Sequence, residues 1–243
     1  STKDANGNLL NPNGVGDVLF APDVAEVVDK NGKKTYYLYP NNQGGGRNGM
    51  IAKADPPNGP FTVCNWSKDD PRKSDGILAF DPAVLVDNDG RVYGYWGFQQ
   101  SFGAELDPNT MATVKPGTQI VRDMVSNKNQ EGKFRFFEAS SIRKIKDKYV
   151  FIYSRWTENG EFGLPDTNYT LAYSYSDNPL GPFTYGGTII DGRARGTDEN
   201  GKIIPTATPS CNTHGSICEI NGKWYVFYHR ENGVDEYARQ AMV

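Results

Sequence analysis

Histidine is nearly missing from this chain of 243 residues, which has only His214 and His229, and cysteine is limited to Cys64, Cys211 and Cys218. So few soft ligands exclude most zinc and iron–sulfur chemistry. The Cys211 to Cys218 spacing is neither a zinc-ligand nor a redox spacing, so the thiols read as ordinary buried ones, and a disulfide between those two stays open without support from the sequence. No Gly-x-Ser-x-Gly elbow is present, which removes the usual routes to serine or cysteine hydrolysis. Gly44 to Gly46 with Gly49 lacks the Gly-Lys-Ser/Thr ending of a phosphate loop and reads as a surface connection. No apolar run approaches the roughly twenty residues of a membrane span, no signal peptide is visible, and long helical periodicity is absent. The formal net charge is only −3, with acids and bases interspersed, which argues against a nucleic-acid or anionic-membrane partner. Carboxylates are what remains for chemistry.

What the chain does have is glycine, proline and aromatic residues, the last making up 12% of it. One phrase of turn and aromatic strand recurs: Asn31-Gly32-Lys-Lys-Thr-Tyr-Tyr-Leu-Tyr39, Asp89-Gly90-Arg-Val-Tyr-Gly-Tyr-Trp96, Lys146-Asp147-Lys-Tyr-Val-Phe-Ile-Tyr153 and Asn221-Gly222-Lys-Trp-Tyr-Val-Phe-Tyr228. Asn-Gly and Asp-Gly supply the two positive φ angles of a type I′ hairpin turn, and the residues that follow suit a strand. Each phrase is therefore predicted to be the second half of a hairpin. The turns fall 57 to 75 residues apart, the length of one sheet unit in a radial array, and Gly59-Pro60-Phe61-Thr62 returns as Gly181-Pro182-Phe183-Thr184. These repeats predict a single all-β domain, a β-propeller of the five-bladed type with about four blades present, at 19–66, 77–120, 134–192 and 213–243.

Apolar runs precede the hairpins at Leu19 to Val28, Ile77 to Val86, Phe134 to Ile145 and Thr213 to Ile220, and two of them contain an acid, Asp81 or Glu138. An acid in a buried strand needs a partner or a task. Asp81-Pro82 as turn punctuation, and Glu138 as an ion-pair partner of Arg135 or Arg143, are the structural alternatives.

Phe20-Ala-Pro-Asp23, Phe80-Asp81-Pro82-Ala-Val-Leu-Val-Asp-Asn-Asp-Gly90, Phe137-Glu138-Ala-Ser-Ser-Ile, and Thr213-His214-Gly215-Ser216 followed by Trp224-Tyr225 and Tyr228-His229-Arg230 occur in one order across most of the chain. In that order they resemble glycoside hydrolase family 43, five-bladed propeller enzymes that invert configuration at the anomeric carbon. The resemblance implies an α-L-arabinofuranosidase and/or β-xylosidase acting on arabinoxylan- or arabinan-type oligosaccharides. An inverting glycosidase needs one protonated carboxylic acid at the leaving oxygen and one carboxylate that activates water. By the resemblance Glu138 is the acid, and Asp81 is the third carboxylate that positions and tunes it. His214 matches a histidine facing the central channel, which often holds a calcium ion through water. Arg239 matches a last-blade arginine that contacts sugar hydroxyls, Phe20 stands where the family's tryptophan stacks on sugar, and Asp23 and His214 are expected beside them among the substrate-binding residues.

The resemblance also implies a first blade carrying the general base as an Asp-Pro aspartate. Ser1 to Asp17 is rich in Asn and Gly and carries no apolar strand, so that blade, and with it the base, is expected to lie outside this chain. Asp23 is the nearest substitute and reads better as structural, and Asp17 is weaker still. Segments 157–168 and 193–211 are expected to be rim loops that narrow the pocket toward an exo-acting or debranching enzyme. Asp87-Asn88-Asp89-Gly90 reads as a hairpin turn rather than a calcium loop, and Asn65 and Asn168 stand in glycosylation patterns. Two rivals remain: a retaining fructosidase on a similar frame, whose motifs match less well, and a non-catalytic carbohydrate-binding propeller. Compartment and oligomeric state are not legible.

Overall fold

The computed structural model describes residues 3–10, 17–43, 47–206, 211–231 and 238–243, so the glycine cluster at 44–46 and most of the Asn-rich stretch at 11–16 lie outside the described residues. The all-β class holds: seventeen strands and one 3₁₀ turn form, with no α-helix among the described residues. Two compact units divide the chain, one of residues 1–98 with 102–122 and the other of residues 99–101 with 123–243.

The first unit contains two four-stranded antiparallel meanders, β1 Leu19–Val28, β2 Lys34–Asn42, β3 Ala52–Ala54 and β4 Thr62–Val63, then β5 Ala83–Val86, β6 Val92–Trp96, β7 Phe102–Leu106 and β8 Val121–Arg122. Every residue of β6 is buried, because its β-branched and aromatic side chains pack on both faces of a central strand. Gly94 in its middle is dictated by close approach: a Cβ there would stand 2.6 Å from Leu78 Cδ2. Tyr39 is fully buried, its hydroxyl donates to the Met111 carbonyl at 3.1 Å, and burial pushes its pKa well up. Buried Glu105 on β7 accepts from Arg91 Nη2 at 2.6 Å and Lys115 Nζ at 2.7 Å, and the Arg91 hydrogen bond leads in holding its carboxyl down at about 2.

The second unit holds a four-stranded meander, β9 Phe136–Ile145, β10 Lys148–Thr157, β11 Thr167–Ser176 and β12 Thr184–Asp191, in the order β12-β11-β10-β9. A short hairpin of β13 Ala194–Thr197 and β14 Ile203–Pro205 follows, then a three-stranded sheet of β15 Gly215–Ile220, β16 Lys223–Glu231 and β17 Arg239–Met242. Segment 193–211, expected as a plain rim loop, thus carries a hairpin of its own. The period of two gives the meander two different faces. One places Ile152 and Leu171 against Ile217 of β15, and the other stacks the rings of Phe136, Phe151 and Tyr153. A Cβ on Gly215 would stand 2.5 Å from Leu171 Cδ2 in that packed seam. Gly215→Ala is therefore expected to destabilise by about 1–3 kcal/mol through overpacking, read as a shift of the urea midpoint.

All four aromatic phrases are second hairpin strands, as predicted. The type I′ turn, however, forms at Asn221-Gly222, where φ is 52° and 76°, and not at Asn31-Gly32 or Asp89-Gly90, where only the glycine is left-handed. There the loops are longer and close on an aspartate. The amide of Gly32 donates to Asp29 O, that of Gly90 to Asp87 O, and Asp29 Oδ1 also collects the amides of Asn31 and Lys33. Asp87-Asn88-Asp89-Gly90 is thus a turn, as read. The repeated Gly-Pro-Phe-Thr phrases both lead into outermost strands, β4 and β12.

The cysteines are all free, which removes the Cys211–Cys218 disulfide. Asn65 is a structural clamp: its Nδ2 donates to Gly49 O at 2.9 Å and Asp75 O at 2.5 Å, and its Oδ1 accepts from Ile51 N at 2.8 Å. An amide so occupied is closed to glycosylation.

Candidate active site

In the first unit the candidate residues sit where the inner strands begin. β1 pairs Phe20 with Asn41 and Asp23 with Tyr39, so Ala21 and Pro22 together oppose Pro40, a β-bulge that turns the strand. Asp23 Oδ2 accepts from the amide of Val84 at 2.8 Å and so ties β1 to β5. Phe20 keeps 38% of its surface exposed. Asp81 is buried just ahead of β5 and its Oδ1 accepts from Asn41 Nδ2 at 2.7 Å. Asn41, which the sequence reading passed over, thereby links Phe20, its ladder partner, to Asp81. Its signal was a polar Asn41-Asn42 pair closing an otherwise aromatic strand.

In the second unit Glu138 is 5% exposed and sits at a second bulge: Ser154 opposes Glu138 and Ile152 opposes Ser141, so Tyr153 alone faces Ala139 and Ser140. The partners proposed in its structural alternative are engaged elsewhere. Arg135 pairs with Glu158 at 2.7 Å, and Arg143 donates to Ile142 O and to Ser216 Oγ. Glu138 Oε1 instead lies 3.3 Å from His214 Nε2. Thr213 beside His214 is fully buried, and its carbonyl accepts from Ser154 Oγ at 2.5 Å. One register of β10 therefore fixes both residues. Phe137, next to Glu138, meets Trp156 and Tyr169 edge-on, and the Tyr169 hydroxyl reaches Asn212 Oδ1 at 3.0 Å.

A common backbone feature marks these places. Ala21, Asp81, Ala139 and Asn212 all adopt positive φ, at 34°, 44°, 63° and 49°, although none is glycine. Each such residue costs about 1–2 kcal/mol, and strain of this kind collects at functional sites.

His229 joins the second group. Its ring stacks on His214 with centroids 5.7 Å apart, and Nε2 bonds the Asn212 carbonyl. Burial first, with the adjacent His214 and the charge of Arg239 adding to it against the Asn212 bond, lowers its pKa from 6.5 to about 4. Arg239 is thus brought within electrostatic reach of the histidine pair, and its buried Nε has no hydrogen-bond partner among the described residues. A histidine with a depressed folded pKa leaves stability unchanged above its unfolded value. As pH falls from 6.5 toward 4 the unfolded chain takes the proton first and stability drops. The expected loss is on the order of 1–2 kcal/mol after discounting for partial exposure. Urea melts at pH 7 and 4.5 should show that slope, and His229→Gln should flatten it.

Asp17, the weaker substitute for the base, is held in an ion pair. Arg47 grips it through Nε at 2.5 Å and Nη2 at 2.6 Å, Asn42 Nδ2 adds a bond at 2.8 Å, and the Arg47 hydrogen bond leads in lowering its pKa.

Antiparallel meander sheets, with Glu138 buried at a bulge of β9 and Asp81 buried just ahead of β5, define the fold class as an all-β β-propeller. Residues 4–243 match the profile of glycosyl hydrolases family 43, and the chain belongs to that family. It is 32% identical over 256 residues to a xylosidase/arabinosidase of Thermoclostridium stercorarium, covering 95% of this chain and 48% of that protein. It is also 32% identical to xylosidase/arabinosidase 43A of Humicola insolens, covering 88% of this chain and 67% of that one. Among solved structures, an α-L-arabinofuranosidase of Clostridium thermocellum superposes with a TM-score of 0.59 at 26% identity, over 92% of this chain and 68% of the other. The chain thus spans about half to two thirds of the length of these relatives.

Proposed function

We propose that the protein is an inverting glycosidase that releases L-arabinofuranosyl or D-xylosyl units from arabinoxylan- or arabinan-type oligosaccharides. Glu138 acts as general acid, giving its proton to the glycosidic oxygen as the bond to the anomeric carbon breaks, while a water that gives its proton to a second carboxylate forms the new bond from the opposite face. Asp81 is the carboxylate that tunes it, and Phe20 and Arg239 contact the sugar. The observation that supports this reading best is the placement of Glu138, buried at a bulge with Oε1 facing His214. Relatives named xylosidase/arabinosidase support the choice of sugars. Neither Asp17 nor Asp23 is proposed as the base, because Arg47 holds one and the Val84 amide the other.

Proton NMR of the first sugar released from xylobiose and from an arabinosyl-substituted xylotriose tests this. The expected product is the anomer opposite to the bond cleaved; a retained anomer removes the inverting mechanism, and absence of release from both removes the activity.

The reading includes a calcium ion held at His214 through water. Direct coordination does not fit, since calcium takes six to eight oxygens and His214 offers nitrogen, with its ring already facing Glu138. A melting temperature that falls with a chelator and returns with calcium is expected; insensitivity to the chelator removes the ion.

A further inference from the structure

The second unit contains a cavity that the proposed chemistry does not use. It measures about 600 Å³ and is lined by Arg135, Arg155, Glu158, Glu161, Phe162 and Tyr185 among others. That volume falls within the roughly 300–1,000 Å³ of small-molecule sites. We infer that this pocket is a second, non-catalytic carbohydrate site that takes one unit of a neutral oligosaccharide.

The pocket lies on the other face of the meander from Glu138. In the β10 ladder Glu138 opposes Ser154, the residue that bonds Thr213, so both belong to the Ile152 face that packs on β15. Arg155 alternates with Ser154, and Tyr185 shares a register line with Ser174 and Phe151, which places Arg155 and Tyr185 on the face of stacked rings.

Its lining is built in advance of any ligand. The Arg155 side chain is 4% exposed, with Nε donating to Lys133 O at 2.8 Å and Nη1 to Glu161 at 2.8 Å, and the guanidinium lies over the Tyr185 ring, 5.4 Å from its centroid. Arg135 and Glu158 form a second pair at 2.7 Å. Phe162 is the exception to burial. It is 47% exposed, and it sits at φ 60° inside the 3₁₀ turn Glu161–Gly163, a conformation that a bulky residue seldom adopts. The turn therefore shows an aromatic face to solvent at a backbone cost and does not bury it.

The chemistry of this lining selects a polyol. Two guanidinium groups donate, two carboxylates accept, and a sugar's vicinal hydroxyls do both, while its CH face covers an aromatic ring. Lys133 also lines the pocket, so three cations face two carboxylates; the guanidiniums are already paired with those carboxylates, and a neutral polyol can bridge the two pairs without displacing either. The pocket stands without the proposed function; only the choice of a pentose oligosaccharide as probe rests on it.

Titration of ¹⁵N-labelled protein carrying Glu138→Gln with xylotriose tests the site, followed at the amides of Glu158 to Phe162 and Tyr185 to Thr188. Saturable shifts are expected there, and Phe162→Ala, an exposed position that the core does not need, should weaken them by about tenfold or more. No saturable shift, or equal affinity in Phe162→Ala, overturns the site. Tighter binding of glucuronate or phosphate than of xylotriose overturns the neutral assignment. These amides report independently of turnover, so an inactive wild-type protein that still shifts them keeps this site and loses only the catalytic reading.

Discussion

Glutamine in place of Glu138 is expected to lower kcat on xylobiose and arabinosyl oligosaccharides by about 10²- to 10⁴-fold with little change in KM. The loss should be much smaller on nitrophenyl glycosides. The reason lies in the leaving group: a sugar alkoxide cannot depart without a proton, whereas nitrophenolate carries its own charge away. A residue that merely shapes the pocket would depress both substrates alike. Glutamine also suits the site structurally, since it has the size of glutamate and can still meet His214 Nε2, which stands 3.3 Å from the present oxygen. The melting temperature should accordingly stay within a few degrees of the parent. Equal losses on the two leaving groups would remove Glu138 from the acid role and leave it as a partner of His214.

Much of this arrangement was legible because it is written in local patterns. Turn residues followed by aromatic strands gave all four hairpins, since strand propensity and turn chemistry act over a few residues. Glu138 and Asp81 stood out because an acid in an apolar run demands an explanation, and both prove to be buried. What was not legible depends on partners distant in sequence. The bulges at Ala21 and Ala139 arise from the register with β2 and β10, which no single strand encodes. Ala21 and Asp81 each precede a proline, which favours an extended backbone with negative φ, so their positive φ runs against the local signal and is imposed by the fold. The turns at Asn31-Gly32 and Asp89-Gly90 were assigned a type I′ geometry because the upstream aspartates, Asp29 and Asp87, were not counted as turn formers. The cavity beside Phe162 escaped for a similar reason. Its walls come from the segment before β9, from β10 and the turn after it, and from β12, so neither the rings nor the ion pairs announce it in the chain.

The largest effect on stability is expected at Arg47. Asp17 and Arg47 have side chains only 7% and 9% exposed, so each charge has lost most of its water and depends on the other. Breaking such a pair leaves a buried charge without its counter-ion, and Arg47→Met should cost about 3–5 kcal/mol, read from urea melts at pH 7. Asp17→Asn combined with Arg47→Met should recover at least half of that, because asparagine carries no charge and its carbonyl can still accept from Asn42, whose Nδ2 now lies 2.8 Å from Asp17. The pH dependence separates charge from packing. In the parent the folded pKa of Asp17 is lowered, so its stabilisation is present above the unfolded pKa and is lost as pH falls. In Arg47→Met, burial without the guanidinium raises the folded pKa, so that variant should gain stability from Asp17 as pH falls through the carboxylate range. Opposite slopes in the two proteins would establish the buried pair; parallel slopes, or a loss under about 1 kcal/mol, would mean that solvent already screens it. The same pair decides a question of function. If Asp17 is only an anchor, Asp17→Asn alone should keep oligosaccharide hydrolysis within about tenfold of the parent, whereas loss of a positioned base costs about 10²-fold or more.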